Sequence, residues 1–167
     1  MSSGKNLVLE DDQVRQKIRR MAYEIFENNF SEEKIVLAGI DGQGHSLALL
    51  LGKELSAISP LKVTIVKVSL DKEAPQKSNI DLDIKIEDIR KTTVVLVDDV
   101  LNTGRTLAYS MKPFLSVELK KIEVAVLVNR SHPLFPVHPN YTGYELSTTL
   151  SEKVEVVLGK KSAVYLH

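Results

Sequence analysis

The chain has 167 residues, with 22 Lys plus Arg balanced by 22 Asp plus Glu. It is long enough to bury a core of its own and has no global field that would collect nucleic acid or anionic lipid. Cysteine is absent, which excludes thiolate catalysis and any Cys-based zinc site and fits a reducing compartment. No segment near the start resembles a signal peptide, and no apolar run reaches the roughly 18 residues of a membrane span; a single cytoplasmic domain over 1–167, without a membrane partner, is expected.

Taken in chain order, Val14, Ile18, Met21, Ala22, Ile25 and Phe26 recur at helical spacing, with Arg15, Lys17, Arg19 and Arg20 off that stripe, so residues 10–29 are expected to form an amphipathic helix. KIVLAGI (34–40) is a continuous aliphatic run of strand length, followed by the turn-like Asp41-Gly42-Gln43-Gly44 and an apolar helical stretch over 45–58. A strand at 61–69, a polar loop at 70–81 and a returning strand at 83–86 come next. They precede a strand at 93–97, a helix at 104–116 and a strand at 122–128. The segment 129–144 is polar and proline-bearing, and short strands close the chain at 154–158 and 163–166.

Unalternated aliphatic strands separated by helices predict an α/β fold, a parallel sheet with both faces covered by helices. Ligands in such folds bind outside the carboxyl ends of the strands, where Asp41 to Gly44, Ser69 onward, Asp98 to Thr106 and Asn129 onward would converge. The stretch VVLVDDVLNTGRT (94–106) is the most informative. After Val97 the strand must turn into a helix whose first N–H groups lack intrahelical partners, which makes an anion seat. Gly104 permits close backbone approach, Thr103 and Thr106 add hydroxyls, and Arg105 adds charge, a set suited to a monophosphate. Asp98 and Asp99 would repel a phosphate placed on them and call instead for hydroxyl donors or a hard cation such as Mg²⁺ nearby. Ribose 5-phosphate meets both demands. The sequence GxxxxGK[ST] is missing, and the glycines at 39, 42 and 44 are spaced wrongly for GxGxxG.

This stretch resembles the phosphoribosyl pyrophosphate signature of type I phosphoribosyltransferases. LVDDVLNTGRT, AVLVNRSHPLFPV, NYTGYELSTTLSEKVEV and VRQKIRRMAYEIFENN are each similar to the pyrimidine operon attenuation regulators that double as uracil phosphoribosyltransferases. The resemblance implies a type I phosphoribosyltransferase fold with a small hood, mainly from 129–150, and a flexible lid from Ser69 to about Ile80. It implies Asp98 and Asp99 on the ribose hydroxyls as the catalytic pair, Asn102, Thr103, Gly104, Arg105 and Thr106 on the 5-phosphate, and Asp41, Gly42, Gln43 and Gly44 at the pyrophosphate. Asn129 and Arg130 would face the base. Mg²⁺, held through the substrate and by Asp98 and Asp99, is the implied cofactor, phosphoribosyl pyrophosphate and a nucleobase (uracil first) the substrates, and a homodimer the implied assembly.

The chain departs from that pattern at four places. Asp41-Gly42-Gln43-Gly44 stands where the attenuators usually have Lys-Thr-Arg-Gly, and the lid is short, leaving Lys72 and Lys77 as its cations. Asn102 occupies the place of an Asp thought to take a proton from the base in purine enzymes, which an amide cannot do. Asn129-Arg130-Ser131-His132-Pro133 replaces Asp-Arg-Gly-His-Arg. RNA binding is the minor expectation: Tyr23, Pro133, His138 and Tyr144 stand at positions commonly basic or His, although Arg15, Lys17, Arg19, Arg20 and Arg130 remain. Four histidines without ligand spacing predict no histidine metal site, and Tyr141 and Tyr144 are expected to pack rather than stack on a base.

Overall fold

The computed structural model describes residues 4–167. In chain order the elements are β1 (Asn6–Leu9), α1 (Asp11–Asn28), β2 (Lys34–Ile40), α2 (Gln43–Ile58), β3 (Lys62–Ser69), β4 (Asp81–Leu82), β5 (Thr93–Leu101), α3 (Arg105–Ser110), β6 (Lys121–Asn129), β7 (Tyr141–Glu145), β8 (Val154–Val157) and β9 (Ala163–Leu166), with single 3-10 turns at Ile86–Ile89 and Phe114–Ser116. Six strands form the main sheet in the order β4-β3-β2-β5-β6-β7, and β1-β9-β8 form a second, three-stranded sheet. All neighbours in the main sheet are parallel except β3 and β4. The expected parallel sheet is therefore mixed at one edge.

The aliphatic runs do not alternate because each face of the sheet has a core. Ile35, Leu37, Val95, Val97, Ala125 and Leu127 point toward α1 and α2, where they meet Ile18, Met21, Ala22, Ile25, Leu47, Leu51 and Leu55. Val36, Ala38, Ile40, Val94, Leu96, Val124 and Val126 point the other way, against Ile89, Leu107 and Phe114. The helical stripe of α1 is buried at Val14, Ile18, Met21, Ala22 and Ile25, as its spacing requires. Between α1 and the amino ends of β6 and β7, the buried Tyr141 hydroxyl donates to Glu123 at 3.0 Å, while Asn29 donates to the same carboxylate at 3.1 Å. Burial and the Glu123 charge push the Tyr141 phenol upward. Tyr141 thus packs, as expected, at the end of the sheet away from the strand carboxyl ends.

Several boundaries differ from those read in the sequence. β5 does not end at Val97: Asp98 stays paired with Val126, and Val100 and Leu101 with Val128 and Asn129. α3 stops at Ser110 rather than 116, because Pro113 cannot continue a helix and the Ser110 hydroxyl turns back to the Thr106 carbonyl at 2.6 Å. The returning strand is Asp81–Leu82, not 83–86, since the Asp83 side chain caps the Lys67 N–H at 2.8 Å and ends the ladder. The segment 129–144, read as polar connection, contains the start of β7, a strand of the main sheet. Beside the main sheet, a three-stranded sheet is built from both ends of the described chain, through β1, β8 and β9.

Candidate active site

Parallel pairing brings the carboxyl ends of β2, β3, β5 and β6 to one edge, so the 41–44, 70–80, 98–106 and 129–135 segments meet there. A cavity of about 180 Å³ opens between them, lined by Lys72, Asp98, Asp99, Val100, Asn102, Thr103, Gly104, Arg105, Thr106 and Val154. A larger space of about 550 Å³ lies behind the 75–80 loop, against Tyr109 and Lys112, and one of about 250 Å³ lies between α1 and α2. The smallest of the three is the candidate site, because there Asp98, Asp99, two cations and the start of α3 face one volume.

Asp98 is 6% exposed, whereas Asp99 is half-buried and open to the cavity. The Asp99 N–H donates to Asp98 Oδ1 at 2.9 Å, fixing the first carboxyl. Burial, then the neighbouring Asp99 charge, hold the Asp98 carboxyl well above the usual carboxylate range, with Lys72 opposing them. Behind it lies the first turn of α2: a Cβ on Gly44 would meet the Val97 carbonyl at 2.9 Å and Asp98 Oδ1 at 3.0 Å. Gly42, just before this helix, adopts φ +97°, a conformation that favours glycine.

The segment expected to seat a phosphate is a glycine turn at the start of a short helix. Gly104 has φ +85° and precedes α3, with Ala108 N–H returning to its carbonyl at 2.9 Å. The Thr103 carbonyl accepts from Leu134 and Phe135 N–H at 2.8 and 3.0 Å, and the Thr103 hydroxyl accepts from Arg105 N–H at 3.3 Å. The turn is pinned on both sides, and Asn102 to Thr106 all line the cavity.

Other expected residues stand around the cavity rather than on it. Asp41 is exposed and its carboxylate accepts from Gly42 N–H at 3.0 Å, while Gln43 Oε1 accepts from Leu158 N–H at 3.0 Å, tying the start of α2 to the small sheet. The Asn129 amide reaches Glu145 at 3.4 Å and accepts from Ser131 N–H at 3.0 Å. Arg130 donates to Asn102 Oδ1 at 2.7 Å, Thr148 Oγ1 at 2.9 Å and the carbonyls of Thr149 and Glu152 at 3.1 and 2.5 Å. Its guanidinium is a tie between the phosphate turn and the 148–152 segment, a role the sequence did not suggest. His132 Nε2 donates to the Thr148 carbonyl at 2.7 Å, bracing the same segment. Val154 and Val100 were also missed; Val154 carries no local signal, because only the pairing of β8 with β9 brings it to the wall.

Among the described residues no group of three or more His, Asp or Glu forms a metal cage. The two neighbouring carboxylates fit a divalent ion only if a bound ligand supplies the remaining oxygens.

A mixed α/β sheet with an acidic strand end running into a glycine turn and a short helix is the architecture of a phosphoribosyltransferase. The chain belongs to the phosphoribosyl transferase domain family, whose sequence profile matches residues 7–157. It is 33% identical over 177 residues to the bifunctional protein PyrR of Fusobacterium nucleatum, an alignment covering 99% of this chain and 100% of that protein. With the bifunctional protein PyrR of Streptococcus thermophilus it shares 35% identity over 158 residues, covering 92% and 90%. In three dimensions it is similar to a hypoxanthine-guanine phosphoribosyltransferase of Bacillus anthracis (TM-score 0.71, 20% identity, 85% of this chain and 82% of that one). The hypoxanthine phosphoribosyltransferase of Trypanosoma cruzi gives TM-score 0.73 at 16% identity, over 84% and 81%. At those identities the structures speak for the fold alone.

Proposed function

We propose that the protein transfers phosphoribose from phosphoribosyl pyrophosphate to a nucleobase, uracil by preference, in the cytoplasm and as a homodimer. The observation that carries this reading is the single cavity in which Asp98 and Asp99 face the turn Asn102 to Thr106. In this reading the bond from the anomeric carbon to pyrophosphate breaks, and the electron pair leaves with the pyrophosphate. The lone pair of a base nitrogen forms the new bond, and the proton on that nitrogen is released to water or base. Thr103, Gly104, Arg105 and Thr106 hold the 5-phosphate, Asp98 and Asp99 orient the ribose hydroxyls, and catalysis rests on positioning and charge stabilisation. Asp98 and Asp99, with oxygens of the substrate, would hold Mg²⁺, which would supply charge neutralisation of the diphosphate.

Two features support a pyrimidine over a purine. Asn102 is an amide whose oxygen already accepts from Arg130, so it cannot take a proton from a purine nitrogen. The curated relatives, named bifunctional protein PyrR, are also more similar in sequence than the hypoxanthine enzymes. Pyrophosphate release with Mg²⁺ and uracil, hypoxanthine, guanine, xanthine or adenine offered separately tests the reading: release with uracil alone supports it, and release with a purine alone refutes the specificity. Asp98→Asn with Asp99→Asn should lower turnover by orders of magnitude in a folded protein; normal turnover would refute the site.

A second reading, a regulator that keeps the ribose phosphate site without turnover, draws on the lack of any cation in Asp41 to Gly44. It predicts ligand binding with no pyrophosphate release. RNA recognition by α1 has less support, since Arg15 pairs with Asp11 at 2.9 Å, Arg20 donates to the Thr142 and Gly143 carbonyls, and Lys17 lies over the Tyr144 ring. Binding to a pyrimidine-leader RNA that falls steeply with salt would reverse that ranking.

A further inference from the structure

We propose that the cavity of about 550 Å³ behind the 75–80 segment is an effector site for a nucleobase carrying a single negative charge, linked to the 102–106 turn through Gln76 and Arg105. The site stands on the cavity itself, while its link to ribose phosphate binding rests on the phosphoribosyltransferase reading. Small organic ligands occupy cavities of roughly 300–1,000 Å³, and this volume falls within that range. The lining is sorted by chemistry. Ile80, Tyr109 and Pro113 give apolar walls, Gln76 and Asn79 give amide groups, and Lys112 is its one charged side chain among the described residues. No carboxylate lines it, in contrast to the cavity at Asp98 and Asp99.

Each of these groups suits one part of such a ligand. The half-buried Tyr109 ring is set by Phe135, which meets it edge-on with 5.9 Å between centroids, and a planar base would lie against it. A side-chain amide presents an acceptor and donors together, as does the edge of a nucleobase. Gln76 Oε1 already accepts from Arg105 at 2.7 Å, so its N–H donors are the end left for a ligand. Lys112 is exposed and forms no ion pair among the described residues, and one ammonium calls for one anionic group on the ligand. The wall has its own support: Ser78 Oγ accepts from Asp71 N–H at 3.2 Å and donates to the Pro75 carbonyl at 3.4 Å.

Arg105 and Tyr109 stand one turn apart on α3, so the same short helix lines both cavities. A ligand acceptor on the Gln76 amide would fix the side chain whose oxygen holds Arg105. Arg105 keeps its remaining N–H donors for a phosphate at the turn, and would meet that phosphate already ordered. Effector and ribose 5-phosphate should therefore strengthen each other's binding by the same factor. No covalent bond is made or broken.

Calorimetric titration of the full chain with the 3′,5′-cyclic monophosphates of uridine, cytidine, adenosine and guanosine tests the site. Each carries a base and one negative charge, and as a diester lacks the three terminal oxygens that a phosphate monoester would bring to the Gly104 turn. At least one should bind wild type at a single site per chain, and K112M should weaken it about 10-fold or more. N79D, which adds a like charge to the wall, should weaken it too. K77M removes a nearby lysine that lines none of the cavities described above and should match wild type. With the cyclic nucleotide saturating, ribose 5-phosphate affinity should rise about 5-fold or more. K112M should abolish that rise while leaving ribose 5-phosphate affinity in the absence of effector unchanged. Binding of none of the cyclic nucleotides, equal losses in K112M and K77M, or mutual exclusion with ribose 5-phosphate would overturn the site. Binding with no change in ribose 5-phosphate affinity would overturn the link through Gln76. Failure of the wild type to bind ribose 5-phosphate would overturn the phosphoribosyl reading and leave the effector site standing. Because Asn79 and Lys112 are exposed, thermal unfolding of both variants should match wild type, which separates lost contacts from misfolding.

Discussion

Gly44 and Asp98 lie so close that no side chain fits between them: a Cβ at 44 would stand 3.0 Å from Asp98 Oδ1 and 3.1 Å from its Cα. The helix that follows β2 is thereby pressed against the acidic end of β5, and Gly44→Ala would have to push one of them away. The expected cost is about 1–3 kcal/mol in chemical denaturation, together with loss of phosphoribosyl pyrophosphate turnover. Turnover equal to wild type would mean that the spacing of α2 and Asp98 does not matter to the reaction.

Asp98 itself should cost stability at neutral pH. Its folded pKa is raised, chiefly by burial and then by Asp99, so above its unfolded pKa of about 3.9 the folded state binds more protons than the unfolded one. Stability from this group therefore falls as pH rises from about 4 toward the folded pKa, and the penalty is constant above that. Asp98→Asn is expected to be more heat-stable than wild type at pH 7 while losing activity, with the stability gap closing as pH approaches 4. Melting curves across that range check the sign; a variant less stable than wild type at pH 7 would contradict it.

Arg130 and Asn102 should behave as one unit. Arg130 joins the phosphate turn to the 148–152 segment through donors to Asn102, Thr148, Thr149 and Glu152. In a double-mutant cycle, Asn102→Ala and Arg130→Met should show a coupling of about 0.5–3 kcal/mol in unfolding free energy. Strict additivity would show that the 2.7 Å contact is not a stabilising one.

Gly104 carries the left-handed turn on which the proposed 5-phosphate seat depends. Gly104→Ala places a Cβ at φ +85°, and 3.3 Å from Val137, at a cost of about 1–2 kcal/mol. Ribose 5-phosphate affinity, measured by titration, should drop with it, and Gly104→Val should abolish binding. Full affinity in the alanine variant would place the phosphate elsewhere.

Tyr141 provides a control far from the cavity. Tyr141→Phe removes the hydroxyl that donates to the buried Glu123 and should cost about 1–3 kcal/mol with ligand affinity intact. A change in affinity would reveal coupling between the two ends of the sheet.

What the sequence disclosed followed from how local each signal was. The runs 34–40, 93–97 and 122–128 were legible as central strands because burial on both faces removes polar alternation. Asp98 to Thr106 was legible as a candidate site because its carboxylates, hydroxyls and turn glycine are contiguous in the chain, and they line one cavity. Four-residue β1, whose first three positions are not buried, offered no period to read. β7 was hidden because YTGYE alternates buried and half-buried positions and mixes Thr and Glu among its aromatics. The helix expected over 104–116 stops at Ser110, short of Pro113, which cannot continue it. The tie from Arg130 to Asn102 spans 28 residues and depends on the β5–β6 register, so composition could not announce it.

The pairing of β1 with β9 has a bearing on how the chain acquires its shape during synthesis. Leu9 finds its strand partner in Val164, far along the chain, and Asp11 accepts from Ser162 N–H at 2.7 Å. A growing polypeptide would lay down the central strands and the 102–106 turn early, yet β1 would wait, unpaired, for residues 163–166 to emerge. Val154, which walls the cavity, and Leu158, whose N–H donates to Gln43, arrive in that same late interval. A ribosome paused before residue 150 would thus hold a chain with the acidic pair and the turn already made, and no finished pocket in which to use them.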